Sequence, residues 1–271
     1  MTPTHQSKIY QPSQPLLENV VTSFSEARSK GSPLFNGGLI FTEHYVDANY
    51  INQATIIPDG CVHLVICCHP EHPSANLCGN LYQGTEGLFI RQGCHYFSIC
   101  FLPGYAEHFF KHPIGMFSGQ EFPVQDVLPH AAILLSRVAE ATNFEERITA
   151  FESFYIDYIK DELNINPLIQ HATQRIIKSR GNLNIADLSN DCGYSTRYMV
   201  KIFEKYVGLS PKLFSRIMRF QHVVQALEVN EYSHILDHIY ELGYCDQNHF
   251  IKDFKQFSRL TPKNYIHRLR S

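Results

Sequence analysis

The chain has 271 residues, room for two domains with separate cores, because single domains commonly run to about 100–200 residues. No apolar run approaches the roughly 18 residues that cross a bilayer, and the opening MTPTHQSKIYQPSQP lacks the apolar stretch of a secretory signal, so a cytoplasmic protein with no membrane partner is expected, its eight cysteines held as thiols rather than as a disulfide framework. The net charge of −3 conceals a division: residues 1–167 hold eight Lys and Arg against 17 Asp and Glu, net −9, whereas residues 168–271 hold 15 against nine, net +6. A basic half joined to an acidic one is expected when only one half meets a polyanion.

Residues 1–35 carry Pro3, Pro12, Pro15 and Pro33 among Ser, Gln and Asn, and read as a loose N-terminal arm with one short helix. From Gly37 to about Pro123 short runs of Val, Ile, Phe, Tyr and Cys are broken at Pro58-Asp59-Gly60, Gly79-Asn80 and Pro103-Gly104, which predicts strands. Helical spacing follows between Gln125 and Lys160, through Leu128, Ile133, Leu135 and Val138 and then Ile148, Phe151, Tyr155, Tyr158 and Ile159. A mainly β domain with one or two following helices over 36–163 is therefore expected, and Asn164-Ile165-Asn166-Pro167 reads as a short linker. The apolar stripes of those helices would serve either a dimer contact or packing against the β domain.

Helices dominate from Leu168 onward, and a repeat with an offset of about 50 residues runs through them: GYSTRYMVKIFEKYVGLSP from Gly193 and GYCDQNHFIKDFKQFSRLTP from Gly243. Each copy follows a short helix, Ile185–Cys192 and Ile235–Leu242, and begins with a glycine suited to a tight turn. Ser195 and Asp246 then stand as N-caps. Met199, Ile202, Phe203 and Tyr206 share one face of the first copy's helix, as Phe250, Phe254 and Phe257 do in the second. The opposite faces carry Thr196, Arg197, Val200, Lys201 and Lys205, and Gln247, Asn248, His249, Lys252 and Lys255. Helix, glycine turn and a second helix with a polar, basic outer face is the helix-turn-helix pattern. Between the copies Leu213, Ile217, Phe220, Val224 and Leu227 mark one long helix from Pro211 to about Val229. Its length, about 27 Å at about 1.5 Å per residue, is of the order of a DNA helical turn. The chain is thus α+β, with an all-α C-terminal domain over 164–271.

These residues, from about Leu168 to Arg268, resemble the DNA-binding domain of the AraC/XylS regulators. The resemblance implies a transcription regulator, activating rather than repressing, whose recognition helices read bases through Arg197, Val200 and Lys201, and through Gln247, Asn248, His249 and Lys252. The chemistry agrees, since Arg and Lys suit guanine edges and Asn and Gln suit adenine. For any single Lys or Arg, a merely solvated surface is the alternative. Two positions depart from the family pattern: His238-Ile239 stands where Ile-Ala is usual, and Arg259 where Gly is usual. Bulk at Ile239 is expected to loosen the packing of the second recognition helix.

The line Ile57-Pro58-Asp59-Gly60-Cys61-Val62-His63-Leu64-Val65, with Phe101-Leu102-Pro103-Gly104, is similar to a β-rich domain that often precedes such readers, which implies a sensor or dimerisation domain. Expected partners are double-stranded DNA and a small-molecule effector or a second copy of the chain. If residues 61–69 form a strand, Cys61, His63, Val65, Cys67 and His69 share one face and Val62, Leu64, Ile66 and Cys68 the other. Cys61 and Cys67 then lie roughly 20 Å apart, too far to share an ion, although Cys61 and His63 could join Cys94, His95 or Cys100 from another strand in a metal or redox sensor. Free Cys as a small buried hydrophobe is the alternative. No zinc spacing, P-loop, G-x-S-x-G or H-E-x-x-H is present, so no cofactor, metal ligand or catalytic residue is assigned and an enzyme fused to the reader is the least favoured reading.

Overall fold

Side-chain alternation sets the sheet. Val62, Leu64 and Ile66 are buried in one core while His63, Val65 and Cys67 face the other side of the same strand, as the reading over 61–69 requires. The computed structural model describes residues 10–19, 21–29, 35, 37–47, 55–86, 91–110, 112–159, 165–229 and 232–270. Its strands in chain order are β1 (Thr22–Arg28), β2 (Leu39–Val46), β3 (Thr55–Ile56), β4 (Val62–Cys67), β5 (Ser74–Cys78), β6 (Thr85–Glu86), β7 (Cys94–Phe101) and β8 (Glu121–Pro123). Six of them form an antiparallel sheet in the order β1-β2-β7-β4-β5-β8, and β3 pairs with β6.

Register decides what each face presents. Thr42 pairs with Ser98, Ser98 with Val65 and Val65 with Asn76, so these four side chains stand in one row, and Ile40, Cys100, His63 and Cys78 form the next. That face is left for a cavity. The opposite face carries Phe41, Leu64, Ile66, Leu77, Phe97 and Ile99. It packs under two helices, Ala131–Glu140 and Phe144–Phe154, whose Leu134, Val138, Phe151 and Phe154 are fully buried there. Most of the stripe residues read between Gln125 and Lys160 thus pack on the β domain's own core, while Tyr158 is exposed. The second of these helices is capped by Asn143, whose side chain accepts from Glu146 N (3.0 Å), while Glu146 accepts from Thr142 N (2.8 Å).

Residues 22–28, expected within a loose arm, are the edge strand β1. TSFSEAR alternates no apolar face, because an exposed edge strand needs little more than backbone pairing to β2. The segment before it is also held. It contains the short helix α1 (Pro15–Glu18), and Leu16 is buried in the C-terminal core.

The remaining helices are α2 (Glu107–Phe110), α3 (Val124–Val127), α4 and α5 (the pair described above), α6 (Pro167–Lys178), α7 (Ile185–Asp191), α8 (Thr196–Tyr206), α9 (Pro211–Val229), α10 (Tyr232–Asp237), α11 (Gln247–Ser258) and α12 (Pro262–Arg270). The bounds of α9 coincide with those read from the sequence. Ile217, Phe220, Val224 and Leu227 are buried in the helical core as expected, but Leu213 is only half-buried. A second buried row, Phe214, Met218 and Gln221, is absent from that reading. It faces the N-terminal half: the Gln221 amide donates to the carbonyls of Pro58 (2.9 Å) and Ser13 (3.2 Å) and accepts from Ser13 N (2.9 Å). Of the linker read at 164–167, Asn164 lies outside the described residues; Asn166 caps α6 by accepting from Leu168 N (3.0 Å). Among the described residues no helix is long and apolar enough to cross a membrane.

Candidate nucleic-acid interface

Each helix-turn-helix unit is closed by backbone hydrogen bonds around its glycine. Gly193 (φ +75°) donates to the Asn190 carbonyl (2.9 Å) and Tyr194 N to that of Ser189 (3.0 Å). Gly243 (φ +84°) and Tyr244 repeat the pattern on Tyr240 (2.9 Å) and Ile239 (3.2 Å). A positive φ is free for glycine and costly for other residues, which explains its place in both turns. The caps follow as expected: Ser195 Oγ accepts from Tyr198 N (3.2 Å) and Asp246 Oδ1 from His249 N (2.7 Å). Met199 and Phe203, and Phe250, Phe254 and Phe257, are fully buried beneath the two recognition helices.

The outer faces are open. Thr196, Arg197, Lys201, Gln247, Asn248, Lys252 and Lys255 are exposed, and Val200 is half-buried. Among the described residues Arg197, Lys201, Lys252 and Lys255 make no ion pair, so their charges face solvent. Two expected contacts are placed differently. Lys205 lies 3.4 Å from Glu107 of α2 and 4.5 Å from the centre of the Tyr206 ring, and its pKa is raised by the hydrogen bond that its ammonium donates to the Tyr206 hydroxyl and then by Glu107. His249 turns inward: its Nδ1 accepts from Cys245 N (3.4 Å), its Nε2 is 3.7 Å from Asp253, and its ring meets Tyr244 edge-on. Tyr194 and Tyr198, not among the residues expected from the sequence, are 45% and 42% exposed and stacked at 4.9 Å beside Arg197. Their i, i+4 spacing across the cap was the available signal.

In the second unit α10 spans Tyr232–Asp237, whereas the sequence predicts a helix from Ile235 to Leu242, and turns occupy 238–243. Ser189, fully buried and bonded to the Ile185 carbonyl (2.7 Å), has Ile239 as its counterpart, a larger side chain in the same tight place. Phe250 and Phe254 of α11 remain fully buried despite it.

The open face of the sheet lines a cavity of about 610 Å³, within the range of small-molecule sites. Cys61, His63, Cys67, His44, Tyr96, Ser98 and Cys100 stand on it, with Glu18, Glu26, Glu121 and Arg91 around them. His63 Nε2 is 2.9 Å from Asp59; burial works to lower the His63 pKa, but the Asp59 carboxylate overrides it and raises it to about 9. Burial, and then His95, lowers His44 to about 4. The Cys61 thiol meets Cys100, and that of Cys94 meets Cys67, and burial raises the pKa of Cys61 and Cys94. No group of three His, Cys, Asp or Glu among the described residues could hold a metal ion, and thiols kept protonated by burial are poor nucleophiles.

Residues 188–268 match the family model of a helix-turn-helix domain, and residues 41–123 that of a domain of unknown function, DUF6597. An uncharacterised HTH-type transcriptional regulator of Haemophilus influenzae is 30% identical over 82 residues, 30% of this chain and 27% of that protein. The lactose operon transcription activator of Staphylococcus xylosus is 24% identical over 124 residues, 45% of this chain and 42% of its own. The chain thus spans less than half the length of these relatives, both described as regulators of transcription. A crystal structure of ToxT from Vibrio cholerae O395 is 13% identical, covering 91% of this chain and 98% of its own, with a TM-score of 0.41.

Proposed function

We propose that this chain, whose C-terminal part is an AraC-type helix-turn-helix domain, is a transcription activator that reads duplex DNA with α8 and α11 and takes a small-molecule effector in its β domain. One observation carries the reading: on two capped recognition helices the cationic side chains Arg197, Lys201, Lys252 and Lys255 stand exposed and, among the described residues, without an ion pair. An unpaired surface charge keeps its full attraction for phosphate or for a guanine edge. Thr196, Arg197, Val200 and Lys201 in the first unit, and Gln247, Asn248 and Lys252 in the second, are assigned to bases. Lys255 and Lys205 are assigned to phosphates, the latter in exchange for Glu107. The inward His249 is assigned a share in shaping the second turn as well as its base contact. The cavity supports an effector, and the activator of Staphylococcus xylosus supports activation over repression.

The test is binding of the full chain to duplexes selected from a random pool, read by fluorescence anisotropy. Arg197→Ala should cost about 1–3 kcal/mol on the selected site and little on random duplex, if it reads a guanine with both nitrogens. Equal affinities for the selected site in wild type, Arg197→Ala and Lys201→Ala would remove the assignment. Activation is read with the selected site placed upstream of a reporter promoter, where the chain should raise transcription.

A further inference from the structure

We propose that the cavity on the open face of the sheet takes an organic cation, a protonated amine carried on an apolar body. The proposal rests on the effector reading above and names the chemical class of that effector.

The floor of the cavity supplies shape without net charge. Ile40, Val65 and Tyr96 are apolar or aromatic there, Thr42, Ser98 and Asn76 are neutral, and His44 is kept neutral by its burial. His63 carries a proton, but Asp59 at 2.9 Å balances it. The walls are different. Among the described residues Glu18, Glu26 and Glu121 line them against one cation, Arg91, and no lysine. Among the described residues the Glu121 carboxylate has no hydrogen-bond or ion-pair partner, Glu18 accepts only from the neutral Gln14 backbone N–H, and Glu26 only from the neutral Gln11 amide (2.7 Å). Burial raises the pKa of Glu121, and burial together with Glu228 and Glu26 raises that of Glu18. These groups have lost water without gaining a counter-charge, which disfavours their ionised form.

An entering ammonium supplies the missing charge, and a carboxylate ligand would add another of the same sign. Phe24, 44% exposed, also lines the cavity, and its ring with that of Tyr96 offers faces that attract a cation. Glu228 belongs to α9, which bridges the two recognition units, so an ammonium near Glu18 also feels the helix that carries the reader.

The experiment is isothermal titration calorimetry of the full chain with octylammonium and, as its charge-reversed counterpart of the same length, octanoate. Octylammonium should bind one per chain and at least about tenfold more tightly than octanoate, a tenfold ratio being about 1.4 kcal/mol. Val65→Trp, which fills the floor, should abolish that binding, and Glu18→Gln with Glu121→Gln should weaken it by about tenfold or more. Octanoate binding as tightly as the amine, absence of amine binding to the wild-type chain, or amine binding untouched by Val65→Trp would each overturn the proposal. DNA affinity measured on the same protein separates the two readings. Amine binding that leaves DNA affinity unchanged keeps the cation site and removes its effector role.

Discussion

The first recognition helix meets the β domain with its C-terminal end, whereas the second is tied by a side chain to the helix between the units. Asn80 Nδ2 donates to the Val207 carbonyl and Ser118 Oγ to that of Gly208, both at 2.6 Å, so two β-domain side chains satisfy the carbonyls that follow α8. A helix end leaves such groups without partners of its own. In the second unit Asp253, buried on α11, receives two bonds from Arg216 of α9 at 2.8 and 3.3 Å, and its counterpart in the first unit is the apolar Ile202. Two copies of one motif are thus positioned by different partners. The seat of the first depends on the β domain, and β5, a wall of the cavity, runs directly into Asn80. The seat of the second belongs mainly to the DNA-binding domain itself.

The largest effect that separates the units is expected at Arg216. Arg216→Met leaves the buried Asp253 carboxylate with His249, at 3.7 Å, as its remaining ion-pair partner among the described residues. Breaking a buried pair costs about 3–5 kcal/mol, and because the Arg216 side chain is 28% exposed the expected loss is smaller, about 2 kcal/mol. Urea unfolding of the full chain reads it. A loss below about 0.5 kcal/mol, the size of an ordinary surface substitution, would mean that α11 is seated by its aromatic residues alone.

Asn80→Ala should cost less, about 1 kcal/mol, since it strands the Val207 carbonyl but also removes the buried Asn80 Oδ1, which has no hydrogen-bond partner among the described residues. The location of the effect matters more than its size. Amide hydrogen exchange should quicken over residues 203–208 and stay unchanged over 247–258. Equal quickening in both would show that the two recognition helices share one support.

What could be read from the sequence is what short-range rules govern. The caps Ser195 and Asp246, the bounds of α9 and the two faces of 61–67 each follow from a fixed spacing of three or four residues, or of two. The helix-turn-helix copies were legible for the same reason, and even their length difference is local: Cys245 is the extra residue, placed between the turn and the cap. It also changes the fate of the neighbouring tyrosine, since Tyr194 is exposed and Tyr244 is buried against Phe250. Illegible were the pairings between distant segments. Nothing near Lys205 announces Glu107, nothing in TSFSEAR announces a sheet edge, and Glu18 and Glu121 reach one cavity from an N-terminal helix and the last strand. Ile239 lies between these cases: its bulk was visible as a departure, but not that the helix would stop at Asp237 while α11 stayed packed.

Arg259 is the second departure from the family pattern, and it carries the smallest expected effect. It follows α11 with φ +63°, a conformation that costs a side-chain-bearing residue about 1 kcal/mol or somewhat more. Its Nε donates to the Gly84 carbonyl of the β domain (3.1 Å), a bond that contributes about 1 kcal/mol. The two terms oppose each other. Arg259→Gly removes both and should change stability by less than about 0.5 kcal/mol, while Arg259→Ala keeps the strain, loses the bond and should cost about 1 kcal/mol. If glycine instead stabilises by about 1 kcal/mol, the bond to Gly84 contributes nothing, and the second unit has no side-chain tie to the β domain at this end. If both variants lose equally, relief of strain is absent, and the arginine is held by its contact alone. The expected near-cancellation would mean that the strained residue persists because it gives the second unit a hold on the β domain, where the first unit has the Asn80 and Ser118 bonds and the Lys205–Glu107 pair.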